Sequence, residues 1–199
     1  MKSKLLAICS QWVAIFFCAN APTVVAAQTT SSAADFGELV RALLVPAGVA
    51  PSWNLGAHPS VHWKSPTPKP SETHLAKDGL PMSRMGVVHI TDGIGTNQSS
   101  QWNVVVAGSR ASPLESSLSM GKQGDSGFHT PAELEEAGFK LKALCEPGGI
   151  SSGTALYEIS AAGYQPAVLA HEWSAGSAGT WMSLIFAYTE QRAAKLKCE

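Results

Sequence analysis

Phe36, Leu39, Val40, Leu43 and Leu44 recur at i, i+3, i+4, i+7 and i+8. That spacing predicts one apolar stripe on a helix, with Glu38 and Arg41 on its other side. Pro46 and Gly48 end it. Between Pro51 and Pro81 stand six prolines, interleaved with His58, His62, His74, Trp53 and Trp63. A helix or central strand does not tolerate that proline density, and the two tryptophans predict a segment lying on the domain. From Gly86 the period changes to two. Gly86 to Thr91 predicts a strand, and so do the alternations Trp102, Val104, Val106 and Leu114, Ser116, Leu118, Met120. Thr130-Pro131-Ala132-Glu133 then signals a helix start, with Thr130 as cap, Pro131 in the first turn and Glu133 closing a capping box. Gly138 ends that short helix. Phe139, Leu141 and Ala143 alternate with lysines toward Cys145, and Ala155 to Ile159, Ala167 to Trp173 and Thr180 to Tyr188 complete the strand-like runs. Short links containing glycine join the last three, as in an antiparallel meander. The expected fold class is α+β: a mainly antiparallel sheet of about six strands, with one N-terminal helix and one short inserted helix.

The first 27 residues read differently. Lys2 and Lys4 make a positive start, Leu5 to Phe17 carries no charge, and Val25-Ala26-Ala27 precedes Gln28. This is the pattern of a secretory signal peptide, cleaved after Ala27. Ala19-Asn20-Ala21 offers a second small-residue site, but Pro22 follows it. The apolar core is shorter than the roughly 20 residues a bilayer span needs, so no membrane span is expected after removal. The organisation expected is a signal peptide (1–27), a lead-in and helix (28–50), a Pro-rich segment (51–84) and an antiparallel α+β domain (85–199). Localisation is expected to be periplasmic or secreted.

Composition narrows the function. With 45% hydrophobic and 15% charged residues, the chain can build a core and is not of the disordered class. Its 14 basic residues face 15 acidic ones; without Lys2 and Lys4 the balance is 12 to 15, and no basic surplus for a nucleic acid remains. Cys9 and Cys18 leave with the signal, so Cys145 and Cys198 remain. In an oxidising compartment they are expected to form a disulfide that pins the C-terminal tail to the strand ending at Cys145.

Gly149-Ile150-Ser151-Ser152-Gly153 spells G-x-S-x-G, and Glu158 and His171 follow in serine–acid–histidine order. A nucleophile elbow needs a helix after the serine, yet the residues after Gly153 read as a strand. H-E-x-x-H fails because Ala175 stands where the second histidine would be. His58 and His62 are four apart where prolines forbid a helix, and Glu133, Glu135 and Glu136 fit helix-dipole acids. No catalytic residue, cofactor or metal site is therefore assigned.

Ser151-Ser152-Gly153-Thr154-Ala155-Leu156-Tyr157 resembles, over seven residues, the Ser-Gly loop of the periplasmic lysozyme inhibitors. In that family a Ser-Gly stretch before a Tyr-bearing strand enters the lysozyme active site, which implies a protein partner. Here the spacing from Gly153 to Tyr157 is one residue longer. The expected function is an exported, non-enzymatic protein-binding domain: an inhibitor-like, immunity-like or envelope-assembly partner of another protein in the periplasm or outside the cell. The alternatives are a small secreted serine hydrolase using Ser151 with His171, and an envelope structural or adhesion component. Loops carry recognition more often than strands, so binding is expected at Ser151, Ser152, Gly153, Ser174, Gly176, Ser177 and Gly179. Counting strand reversals puts the two stretches at one end of the sheet.

Overall fold

The helix at the start of the domain, α1 (Phe36–Ala42), begins where Asp35 caps it: the carboxylate accepts the Glu38 N–H at 3.0 Å. Its apolar stripe is buried as expected, with Leu39, Val40 and Leu43 wholly inaccessible. This computed structural model describes residues 34–52, 54–64, 82–91, 99–109, 112–120, 131–146, 149, 151–176 and 179–199. Residues 1–33, which include the expected signal peptide, and Trp53, His74, Thr130 and Ser177 lie outside them.

The strands are β1 (His62–Trp63), β2 (Met82–Thr91), β3 (Ser99–Ser109), β4 (Ser112–Met120), β5 (Lys140–Cys145), β6 (Ser152–Ser160), β7 (Ala167–Gly176) and β8 (Gly179–Ala187). The short helices α2 (Pro131–Glu136) and α3 (Glu190–Ala193) complete the described elements. The expected mainly antiparallel sheet is present, but it has eight strands rather than about six. One addition is β1, a two-residue edge strand inside the Pro-rich segment, where an edge position tolerates neighbouring prolines. The third helix, α3, was also unexpected; Thr189 caps it by accepting the Arg192 N–H.

The strand order is β1-β2-β3-β4-β8-β7-β6-β5, every neighbouring pair antiparallel. Two four-stranded meanders thus meet through β4 and β8. The chain leaves β4, passes through α2, and enters the second meander at its far edge, β5. Register lines up Gly86, Val104, Leu118, Leu184, His171 and Ala155 across six strands, and Val106, Ser116, Phe186, Leu169 and Tyr157 in a parallel row. Because side chains alternate along a strand, all of these share one face. Leu39, Val40, Leu43 and Leu44 of α1 and the following turn pack into the same core cluster, so this is the helix face.

Polar contacts lock α1 in place. The Arg41 guanidinium lies 5.0 Å over the Phe139 ring and donates to the Ala137 carbonyl just beyond α2. The Tyr188 hydroxyl donates to the Leu43 carbonyl, one of the acceptors a helix end leaves unpaired, and shares a hydrogen bond with Ser116. Burial drives the Tyr188 phenol well above its ordinary pKa; the Ser116 bond acts against that shift, and Glu115 adds to it. The helix α2 starts on Pro131 and gives way to Gly138 at φ 88°, the left-handed residue expected there.

The opposite, tail face carries Glu115, Ser117, Ser183, Ile185 and Ala187, all buried. Glu115 forms an ion pair with Arg192 of α3 there. Cys145 reaches this face through a bulge. The ladder slips between Ala143 and Cys145, so Cys145 pairs with Leu156, and the extra residue, Leu144, is left 49% exposed. Cys145 and Cys198 are disulfide-bonded across a sequence separation of 53. Among the described residues no helix is long and apolar enough to cross a membrane.

Candidate functional site

One end of the sheet gathers the small polar residues singled out in the sequence. Ser152 pairs with Ser174 and Gly153 with Trp173, while the Ala175 N–H donates to the Ser151 carbonyl at 2.7 Å. Both stretches therefore lie at the same end, as the reversal count requires. Their local structure differs from the expectation of loops. Ser152 and Gly153 belong to β6, Ser174 and Gly176 to β7, and Gly179 to β8, where Gly176 and Gly179 form the last β7–β8 pair. Glycine and serine are poor strand formers, but that preference is small, and a ladder that satisfies every backbone group overrides it.

The C-terminal tail closes this end. The Thr154 N–H donates to the Glu199 carbonyl at 2.9 Å, and the disulfide holds Cys198 beside β5. Ser151, Ser152, Ser174 and Ala175 are exposed around it. Beneath them, on the tail face, a cleft of about 570 Å³ is lined by residues including Thr154, Glu172, Trp181, Lys195, Lys197 and Glu199. It offers both charge signs beside one indole, a mixture that fits polar groups of a polypeptide. Sequence reasoning missed the cleft because its walls come from β6, β7, β8 and the tail together.

On the helix face of the same end, His171 and Trp173 stack with ring centroids 5.1 Å apart, and His171 Nε2 lies 3.2 Å from Met182 Sδ. Desolvation lowers the His171 pKa from 6.5 to about 4. Glu172 points to the tail face, as strand alternation demands.

The residues of the possible hydrolase do not converge. Ser151 lies four residues before Ala155, the partner of His171, a distance of about 13 Å along the strand. Glu158 pairs with Val168 on the face opposite His171. A strand, not a helix, follows the G-x-S-x-G stretch. Tyr157, part of the seven-residue resemblance, packs against the core cluster well away from the Ser-Gly end. His58 accepts the Ser60 N–H through Nδ1 at 3.2 Å and lies 3.9 Å from Glu38. Among the described residues no cluster of three or more His, Cys, Asp or Glu could hold a metal ion.

Comparison with protein-family models, curated proteins and solved structures finds no match to this chain.

Proposed function

We propose that the protein is an exported binding domain that recognises another protein through the β6–β7–β8 end of its sheet. The observation that carries this reading is the convergence there of Ser151–Gly153, Ser174–Gly176 and the disulfide-anchored tail. Small side chains let a partner's backbone approach closely, and the exposed hydroxyls both donate and accept hydrogen bonds. The cleft under Thr154 and Trp181 gives a partner side chain a place to enter. A disulfide persists in an oxidising compartment, which supports export to the periplasm or beyond.

Affinity capture from an envelope extract tests the proposal with the wild-type protein and two variants, Ser152→Arg and Ser174→Arg. A protein held by the wild type and lost from both folded variants is the expected result. Equal retention by both variants, or no specific capture by the wild type, defeats it. Labelling of Ser151 by a serine-directed phosphonate, lost in Ser151→Ala, would replace it with the hydrolase.

A further inference from the structure

The core face of the sheet places two thioethers, an imidazole and an indole together at the partner-facing end. Met120 of β4 is the cross-strand partner of Met182 of β8, and Met182 in turn pairs with Trp173 of β7. Side chains so paired have Cβ atoms about 5 Å apart on one face. His171, one row further in, reaches diagonally to Met182, with Nε2 3.2 Å from Sδ. The sulfur side chains are shielded from water, Met182 wholly inaccessible and Met120 at 3% exposure. The imidazole and indole are only half-buried, and their β6 neighbours are small: Ala155 beside His171 and Gly153 beside Trp173. The set thus is dry on the methionine side and flanked by small residues on the side of the half-buried rings.

We propose that His171, Met182 and Met120 bind a soft monovalent metal ion, Cu(I), beside the Trp173 ring. Thioether sulfur and imidazole are donors that select Cu(I) over hard cations, whereas carboxylate and carbonyl oxygens suit magnesium or calcium. Metal bonds of about 2.1 Å to nitrogen and 2.3 Å to sulfur place two tetrahedral ligands about 3.6 Å apart, so the observed separation must open by only a few tenths of an ångström. All three ligands coordinate as neutral groups, so none brings a charge of its own into the core. Trp173, already stacked on His171, supplies a π-face that favours a nearby cation. No pattern of His, Cys, Asp and Glu reveals the site, because two of its three ligands are methionines from strands 62 residues apart in sequence.

Silver(I) serves as the probe, since it needs no reductant and so leaves the Cys145–Cys198 bond intact. All samples are the full chain with Cys9→Ser and Cys18→Ser, which removes competing thiols. Calorimetry is expected to show one tightly bound Ag(I), and the 13C-labelled methionine methyls of Met182 and Met120 are expected to shift on binding. Met182→Leu, a nearly volume-conserving change, should keep the fold but weaken binding by about tenfold or more. His171→Gln should do the same through loss of the imidazole. No Ag(I) binding by the parent, unchanged affinity in folded Met182→Leu, unmoved Met182 and Met120 methyls, or tighter binding of Zn(II) than of Ag(I) would each overturn the site.

Discussion

Glu115 and Arg192 are 0% and 4% exposed, which makes their ion pair the most consequential polar contact on the tail face. Two buried charges gain little over apolar residues of similar volume, but removing one takes from the other the counter-charge that offsets its burial. Arg192→Met should therefore destabilise the protein by about 3–5 kcal/mol, measured by urea unfolding. The double variant Glu115→Leu with Arg192→Met should recover most of that loss; recovery of nothing would show that Arg192 acts through other contacts. His171 makes a separate prediction, in pH. Its folded pKa is depressed to about 4 against 6.5 unfolded, so the unfolded chain binds the extra proton between those values. The contribution is fully present above pH 6.5 and is lost as pH falls toward 4, by about 3 kcal/mol at most. A metal-free His171→Gln variant should show a flatter stability profile across that window.

At the scale of elements, α1 illustrates a conflict between propensity and packing. Gly37 sits inside the helix, where alanine ordinarily stabilises by about 0.5–1 kcal/mol. A Cβ at Gly37 would lie 2.7 Å from the Ala137 Cβ, too close for two carbons. Gly37→Ala should thus destabilise by about 1–3 kcal/mol, read as a lowered melting temperature. A raised one would mean that α1 and the end of α2 have room to part. The bulge in β5 is another element-level device, because in an unbroken ladder Cys145 would share the face of Ala143, away from the tail.

For the whole molecule, the disulfide is the longest covalent tie among the described residues. Joining residues 53 apart restricts the unfolded chain by about 4 kcal/mol in the loop-entropy picture. Cys145→Ser with Cys198→Ser should lower the melting temperature by about 10 °C or more. It should also release the tail from Thr154, visible as faster amide exchange there. A melting temperature within a degree or two of wild type would mean that the Arg192–Glu115 pair holds the tail unaided.

The sequence by itself determined the local elements, because helix and strand periods are written in nearest neighbours. The stripe from Phe36 to Leu44 dictated α1, Pro131 and Gly138 bracketed α2, and strand-like runs fell on β2 to β8, though the expected sheet had about six strands and neither β1 nor α3 was foreseen. Reversal of direction between consecutive strands was enough to put Ser151–Gly153 and Ser174–Gly176 at one end. The disulfide was expected of Cys145 and Cys198, the two cysteines outside the expected signal peptide. Only the tertiary structure decided the β4–β8 pairing, since nothing local tells a chain leaving Met120 to pass α2 and begin the second meander at its far edge. That pairing depends on long-range burial, and it alone brings Met120 to Met182 and Glu115 within reach of Arg192. Pairing of β6 with β7 and of β7 with β8 turned the Ser-Gly stretches from expected loops into strand ends, because a neighbouring backbone supplied hydrogen bonds that residue preference did not foresee.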